Sequence, residues 1–268
     1  MGSCFNAIPF LYDNKGAIDM KYFVVSDVHG FYDEMIAALN KAGFDETNPD
    51  HMLISLGDAL DRGKKPREVL QYFNRLRANN KAVLIKGNHE DLMRDMLNKS
   101  YPERHDFSNK TFATAVELSD KQDILNYHHL FGQIKKDRDW KEYCGYLVDY
   151  FETEHYVFVH GWIPMVMMNI SGPLYPHWVP TKVRADWRDG TQDDWEEARW
   201  LNGAEMSKSG FYIDKAIVCG HIHCSAWHTL FENKKEFTDF TPYKSERVIA
   251  LDACTAYSGF CNCVVLED

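Results

Sequence analysis

The chain has 268 residues, 45% of them hydrophobic and 14% aromatic, which is enough to build a sizeable core. Its formal net charge of −10 argues against a protein that coats nucleic acid, so an anionic substrate must be attracted by local groups. No run approaches about 20 apolar residues and the first 23 residues lack a leader-peptide pattern. We therefore expect a cytoplasmic protein with no membrane contact and no stable nucleic-acid partner.

Seven cysteines are spread along the chain, at positions 4, 144, 219, 224, 254, 261 and 263. Their number is odd and none forms a CxxC pair, which disfavours both a disulfide framework and a thiolate zinc site. We expect reduced thiols.

Short apolar runs with the character of strands recur at 22–27, 52–58, 82–88, 156–161, 216–221, 248–253 and 263–267. Helical patterns at 31–42 and 66–79 separate the first three runs, and Pro66 stands near the first turn of the second helix. This alternation predicts an α/β core whose first strands pair in parallel.

The rest of the chain is predicted to elaborate this core. Residues 89–147 look helical and polar, so we expect a helical insertion rather than more core. A loop insertion is expected at about 162–192. No linker rich in Pro, Gly or Ser divides the chain, which favours one domain over residues 1–268.

Polar residues that could bind a metal or take part in catalysis stand where the apolar runs stop. They are Asp27, His29, Asp58, Asn88, His89, His160, His221 and His223. Each has an ordinary explanation alone, since Gly57-Asp58 suits a turn, Asn88 suits a helix cap and single histidines are usually structural. In open α/β sheets, however, side chains beyond the carboxyl ends of strands converge on one crevice.

Together these residues have the chemistry of a dinuclear metal site. Such a site needs hard carboxylate and amide oxygens plus imidazole nitrogens, with one carboxylate bridging two ions roughly 3.5 to 4 Å apart. Seven of these eight residues, all except His89, are candidate ligands. Only two of the seven, Asp27 and Asp58, are anionic. Two divalent ions would therefore leave a formal positive surplus that attracts hydroxide and phosphate.

Five motifs carry a family resemblance: DVHG (27–30), GDALDRG (57–63), GNHE (87–90), HGW (160–162) and GHIH (220–223). They resemble the calcineurin-like metallophosphoesterases, and GDxxDRG with GNHE is similar to the phosphoprotein-phosphatase branch, which includes bacterial and phage members and related diadenosine tetraphosphate hydrolases. LDACTAYSG (251–259) is similar to the last core segment of that branch. The resemblance implies an α/β fold with a central two-sheet β-sandwich flanked by helices.

The resemblance also implies roles. Asp27, His29, Asp58 and His223 would hold one metal, and Asp58, Asn88, His160 and His221 the other. A hydroxide between two divalent ions would attack phosphorus in line, with manganese expected and iron, zinc, cobalt or nickel as alternatives. His89 would protonate the leaving oxygen and Asp61 would orient His89.

Substrate contacts are predicted at Arg62, Asn88, Arg199 and Tyr257. Arg62 can fork onto two phosphate oxygens, although a solvated arginine in a DRG turn is the plain alternative. Glu90 is interpreted as an acid favoured in a first helical turn. Tyr257 is suggested by family analogy, against a tyrosine packed at a strand end.

The chain departs from the family pattern at several places. Asn202 stands where protein phosphatases carry a second phosphate-binding arginine; Arg199 is the favoured substitute over Arg184 and Arg188, unless all three are surface charges. GHIH is closer to the GHxH of phosphodiesterases and nucleases. The apolar stretch 164–178 is either a flap or docking surface beside the site, or a cover for core or an oligomer contact.

These observations favour a metal-dependent phosphomonoesterase that acts on phosphoserine or phosphothreonine, and also phosphotyrosine, in proteins, or on small phosphate esters. The alternatives are a dinucleoside polyphosphate hydrolase and a phosphodiesterase. A non-enzymatic scaffold that binds phosphate would lack ligands or the acid pair, yet Asp61, His89 and all seven ligands are present.

Overall fold

The computed structural model describes residues 20–122, 124–171 and 177–268. The strands are β1 Lys21–Val25, β2 His51–Ser55, β3 Ala82–Ile85, β4 Leu147–Val148, β5 Phe151–Glu152, β6 Tyr156–Phe158, β7 Met165–Asn169, β8 Trp178–Val183, β9 Ala216–Cys219, β10 Tyr243–Lys244, β11 Val248–Ala250 and β12 Cys263–Glu267. The helices are α1 Tyr32–Ala42, α2 Pro66–Ala78, α3 Asn88–Asn98, α4 Arg104–Ser108, α5 Thr111–Leu118, α6 Tyr127–Lys136, α7 Arg138–Tyr146, α8 Gln192–Arg199, α9 Gly203–Lys208, α10 Cys224–Glu232 and α11 Thr255–Ser258. Most of the N-terminal segment, where we expect no leader peptide, and Cys4 lie outside the described residues.

Two five-stranded sheets form the centre of the fold. The first has the order β12-β1-β2-β3-β4, and the second has the order β10-β11-β9-β6-β5. Strands β1 to β4 pair in parallel, as the alternation of strands and helices predicts, and β12 closes the edge in antiparallel orientation. In the second sheet, β6, β9 and β11 are parallel neighbours.

Side chains alternate across the first sheet in the way a period of two requires. Tyr22 and Val24 of β1 face the second sheet and pack in one cluster with Phe158 and Val218. Phe23 and its neighbour Val25 face the helices instead. Because both faces of the sheet are covered, the strands read as continuous apolar runs, and the predicted sandwich of two sheets flanked by helices is confirmed.

The segment 89–147 is helical, as predicted, but it is part of the core. Buried residues from α3, α6 and α7 pack with the outer face of the first sheet, among them Met93, Met96, Phe131, Ile134 and Tyr143. The polar composition that suggested a separate insertion comes from the opposite faces of amphipathic helices. The expectation that this segment adds no core is therefore wrong.

The apolar stretch 164–178 contains strands rather than only a loop. β7 pairs with β8 in antiparallel register, from Met165 opposite Val183 to Asn169 opposite Trp178. Val166 and Met168, two residues apart on β7, are exposed, and so is Trp178 at the start of β8. Among the described residues, no helix has both the length and the apolar composition needed to cross a lipid bilayer.

Candidate metal centre

The parallel strands of the two sheets end at one edge of the sandwich. Six of these strands are followed by a sequence motif, and each of the six motifs contains a polar residue at this edge. These residues are Asp27, Asp58, Asn88, His160, His221 and Asp252. The first five are predicted ligands. Asp252, which follows β11, is a sixth that sequence reasoning missed.

The loops at this edge hold an unusual backbone conformation. Six non-glycine residues there have positive φ: Asp27 (49°), His29 (48°), Asp58 (54°), Arg62 (73°), His221 (63°) and Cys254 (50°). Left-handed conformations of such residues cost of order 1–3 kcal/mol each, and they persist where surrounding structure enforces them, commonly at functional sites. These left-handed residues turn the backbone sharply after each strand. The side chains of the loops therefore face a common space.

Glycines let these loops approach one another closely. A Cβ atom on Gly87 would lie 2.2 Å from Oδ1 of Asp58, and one on Gly220 would lie 2.3 Å from Oδ2 of Asp27. Both distances are far inside van der Waals contact. The glycines of GNHE and GHIH therefore make room for the carboxylates of the other motifs.

One ligand group combines Asp58, His160 and His221, whose ligand atoms all lie within 4.8 Å of one another. Nδ1 of His160 donates to the carbonyl of Leu56 at 2.8 Å, so Nε2 is the ring nitrogen that faces the other candidate ligands. That Nε2 lies 2.7 Å from Oδ1 of Asn88. All four ligands predicted for the second metal thus meet.

A second group shares Asp58 and adds His29 and His89. Nε2 of His29 lies 3.7 Å from Oδ2 of Asp58, the carboxylate oxygen opposite the one that His160 approaches. Asp58 therefore stands between the groups, in the position expected of a bridging ligand.

Asp27 and His223 stand at the margins of these groups. Oδ2 of Asp27 accepts a hydrogen bond from the backbone N–H of His221 at 3.0 Å and another from the hydroxyl of Ser26. The His223 side chain is 45% exposed, with Nε2 3.8 Å from Oδ2 of Asp252. Its exposure places His223 at the open side of the site.

The protonation states of these groups suit cations. Burial lowers the pKa of His29 and, together with His160, lowers that of His221 to about 4, so both imidazoles are neutral. Burial opposes ionisation of Asp58, but His160, His89 and His29 together hold its pKa below the ordinary value. Nδ1 of His29 is buried without a hydrogen-bond partner among the described residues. Neutral imidazoles beside a carboxylate fit two divalent cations.

His89 and Asp61 form a buried dyad beside Asp58. Nδ1 of His89 lies 2.6 Å from Oδ2 of Asp61, and the exposed Arg62 approaches Nε2 of His89 at 3.2 Å. Burial alone would lower the pKa of His89, but Asp58 and the bond with Asp61 outweigh it and raise that pKa to about 9. An imidazole that holds its proton this firmly suits a general acid.

Two threonines of α5 support this dyad, and sequence reasoning missed them. The hydroxyl of Thr111 donates to Oδ2 of Asp61 at 2.6 Å, and that of Thr114 donates to Oδ1 at 2.7 Å. Their hydrogen bonds fix the carboxylate that fixes His89. The helical segment thus contributes to the site as well as to the core.

Glu90 has a wider role than that of a first-turn acid. It is buried, and its Oε2 accepts from the backbone N–H of Asp58 at 3.0 Å and of Gly87 at 2.8 Å. Its Oε1 accepts from the N–H of Ala59 at 2.9 Å and from the hydroxyl of Tyr143 at 3.2 Å. Glu90 therefore joins the GDALDRG loop to the GNHE helix.

The structure does not bring Arg199 to the centre. Its side chain is 2% exposed, with Nε 2.6 Å from Asp91 and Nη1 2.7 Å from Asp149. Its guanidinium therefore serves a buried ion pair, so Arg199 as a phosphate ligand is a mistaken expectation. Arg184 pairs with Asp186 and Asp194, and Arg188 pairs with Glu152. Arg62 is the arginine that faces the dyad.

An aromatic cavity of about 560 Å³ adjoins the metal ligands. Tyr257 lines it and is 77% exposed, which is contrary to a packed strand-end tyrosine, and its ring lies 5.6 Å from that of Phe240. Trp200, 49% exposed, places its ring edge against His221 at 6.0 Å between centroids. The cavity is lined by Asn202, His221, Ile222, His223, Ser225, Ala226, Phe237, Phe240, Cys254 and Tyr257.

Asp252 is buried next to Cys254, which lines this cavity. Its Oδ1 accepts from the backbone N–H of Cys254 at 2.7 Å. Burial, reinforced by the negative charge of Asp27, raises the pKa of Asp252 well above its ordinary value. The signal that would have found it is its place after an apolar run, the same rule that located the other acids.

Curated relatives share the motif-bearing region. Over 196 residues, the chain is 26% identical to the asymmetrical bis(5′-nucleosyl)-tetraphosphatase PrpE of Halalkalibacterium halodurans, covering 66% of this chain and 76% of that protein. Over 76 residues, it is 36% identical to PrpE of Bacillus velezensis, covering 26% of this chain and 30% of that protein. The second match thus spans less than a third of that relative's length.

Solved structures share the architecture. The cold-active protein-tyrosine phosphatase of a psychrophilic Shewanella species superposes with a TM-score of 0.55 at 16% identity, covering 93% of this chain and 76% of that one. A protein provisionally assigned as a diadenosine tetraphosphatase gives 0.51 at 14% identity, covering 94% and 95%. At these identities the likeness shows a common fold.

The family comparison covers most of the site. The model of the calcineurin-like phosphoesterase family matches residues 20–225, which include the loops after β1, β2, β3, β6 and β9. The same loops carry both ligand groups and the dyad of His89 and Asp61. The chain therefore belongs to the calcineurin-like phosphoesterase family.

Proposed function

We propose that the protein is a dinuclear-metal phosphohydrolase. The observation that carries the proposal is Asp58, which belongs to two groups of potential metal ligands and lies 3.8 Å from the imidazole of the His89 dyad. When bound, two divalent cations, manganese by preference, would acidify a water and offset the charge on phosphoryl oxygens. The residues around them supply positioning and proton transfer.

His89 is the general acid of this proposal. Its Nδ1 is held by Asp61, so Nε2 presents the proton that the departing oxygen takes up as its bond to phosphorus breaks. Arg62, 3.2 Å from that Nε2, would grip oxygens of the same phosphoryl group. The carboxylate of Asp61 would stabilise the imidazolium through its contact with Nδ1.

Dinucleoside polyphosphates are the substrate class that the geometry supports best. The aromatic cavity beside His221 and His223 offers the faces of Tyr257 and Phe240 to a nucleobase, and base stacking on aromatics contributes about 1–3 kcal/mol per base. The names of the curated relatives support the same class. The ion-paired Arg199 weakens the case for a two-arginine grip on a terminal phosphate.

Phosphorylated proteins, the class favoured by the sequence, remain the second candidate. The exposed apolar side chains of the β7–β8 hairpin, Val166, Met168 and Trp178, support this candidate, since exposed apolar surface suits docking of a polypeptide. The acidic net charge disfavours nucleic acid as a substrate for either version of the enzyme.

A substrate panel with added Mn²⁺ tests the proposal. Diadenosine tetraphosphate, a phosphoserine peptide, p-nitrophenyl phosphate and bis-p-nitrophenyl phosphate would be compared by kcat/KM, with Asp58→Asn as the inactive control. Highest kcat/KM on the tetraphosphate supports the first class, and highest on the peptide supports the second. Turnover of the diester alone contradicts both, and equal activity of Asp58→Asn contradicts the metal centre.

A further inference from the structure

A second cavity, of about 790 Å³, lies among the helices rather than at the aromatic face of the centre. Its volume is in the range of sites that enclose small molecules, about 300–1,000 Å³. Its walls come from α3, α6, α7 and the start of α8. It is lined by Lys86, Glu90, Arg94, Leu97, Asn98, Lys135, Trp140, Lys141, Cys144, Leu147, Asp149, Gly190, Thr191 and Gln192.

The charge of this helical cavity is opposite to that of the chain. It has four cationic side chains and two acidic ones in a protein of net charge −10. Lys86 and Arg94 are both engaged by Asp91. Lys135 and Lys141 are exposed, and the ammonium group of neither makes a hydrogen bond or ion pair within residues 20–122, 124–171 and 177–268. Two lysines are thus free to meet an anion.

The rest of the lining combines the polar side chains of Asn98, Thr191 and Gln192 with an apolar part. Leu97 and Trp140 are buried residues of the helical core that reach the cavity, and Leu147 adds a half-buried aliphatic side chain. A phosphate ion alone would leave these apolar side chains in contact with water. The lining instead matches a molecule with a charged group at one end and a flat apolar body.

We propose that the helical cavity binds a small aromatic anion, at a site distinct from the metal centre. Its acidic group pairs with Lys135 and Lys141, and its ring lies against Leu97 and Trp140. This inference goes beyond the proposed hydrolysis and does not depend on it.

Glu90 connects this site to the centre. It lines the helical cavity and its carboxylate also accepts hydrogen bonds from the N–H groups of Asp58, Ala59 and Gly87. A bound anion would act on the same carboxylate that positions the GDALDRG loop. Occupancy should therefore change the kcat of the enzyme without competing with substrate.

The test uses 8-anilinonaphthalene-1-sulfonate, an aromatic sulfonate that fluoresces in apolar surroundings, with the full-length, metal-loaded protein. We expect one site per chain and a Kd at least 10-fold weaker in Lys135→Ala/Lys141→Ala. The matched control, Lys136→Ala/Lys208→Ala, removes the same charge from exposed lysines outside the cavity and should bind as the unmodified protein does. Equal binding by both double variants overturns the proposal.

A second variant separates this site from other apolar surfaces. Cys144 is exposed and lines the cavity, so Cys144→Phe should fill the space and abolish binding while the charge is kept. Unchanged binding in Cys144→Phe contradicts the assignment. Displacement of the probe by orthovanadate, at concentrations that inhibit turnover, would place it at the metal centre and also overturn the proposal.

Discussion

Asp61 lies 2.6 Å from Nδ1 of His89 and is held on its other sides by the hydroxyls of two threonines. The imidazole has no freedom to turn without breaking this bond. Its reactive Nε2 is therefore presented to one place, next to Arg62 and Asp58. The dyad is a preformed element of the fold.

Removal of the general acid should depend on the leaving group. His89→Asn is expected to lower kcat by about 10²–10⁴ on alkyl phosphates such as a phosphoserine peptide and much less on p-nitrophenyl phosphate, whose departing oxygen needs no proton. Steady-state kinetics on both substrate types measure the difference. An equal loss on both types would contradict the acid role.

The threonines should act through Asp61. Thr111→Val/Thr114→Val removes both hydroxyl donors with little change in shape, so we expect a lower kcat with KM nearly unchanged, plus a loss of about 1–3 kcal/mol in the free energy of unfolding. Kinetics and urea denaturation check the two effects. Ser119→Ala, on a half-buried hydroxyl outside the dyad, is the control.

Removal of metal should abolish turnover. Chelator treatment is expected to reduce activity below detection and Mn²⁺ to restore it, with two ions per chain by elemental analysis, because Asp58 belongs to both ligand groups. Asp58→Asn should lose both ions. Full activity after complete stripping would be incompatible with the proposed centre.

The two arginines should separate function from stability. Arg62→Lys is expected to raise KM or lower kcat at least 10-fold with unchanged melting temperature, since Lys cannot reproduce the fork. Arg199→Ala leaves Asp91 without one of its buried partners and should cost about 3–5 kcal/mol of folding stability. A stable Arg199→Ala protein with a raised KM would reinstate Arg199 at the substrate.

Acid stability should depend on Glu152. Hydrogen bonds from Arg188, resisted by burial and helped by Lys215, lower its pKa to about 2 from an ordinary 4.5. A carboxyl group whose pKa is lower in the folded state than in the unfolded state stabilises the fold at pH values above its unfolded-state pKa. This contribution disappears as pH falls from about 5 to 2. Because solvent screens this half-exposed pair, Glu152→Gln should lose only about 1 kcal/mol at pH 7 and show a flatter decline in that window by urea denaturation.

The clustering of the strand-end residues was predictable because each is encoded locally. Asp27 and His29, for example, follow an apolar run and precede a glycine, and the rule that strand ends converge in an α/β fold supplies the rest. The alternation of strands and helices likewise predicted the parallel pairing of β1, β2 and β3. Nothing beyond a few residues of context is required for these expectations.

The failures involve partners that are distant in the chain. Arg199 pairs with Asp91, which is 108 residues away, and Thr111 reaches Asp61 across 50 residues. The aromatic cavity likewise assembles Phe240 and Tyr257 with the His221 loop. A sequence shows that an arginine or a ring is present, but only the packed fold decides which group it meets.

The left-handed residues around the centre imply a tension between folding and chemistry. Glycine at Asp27 or Asp58 would relieve the backbone strain at φ of 49° and 54°, but it would also remove a carboxylate from the proposed centre. Selection for thermal stability alone would therefore not preserve the proposed ligands. A laboratory evolution campaign on this scaffold should screen for turnover in every round.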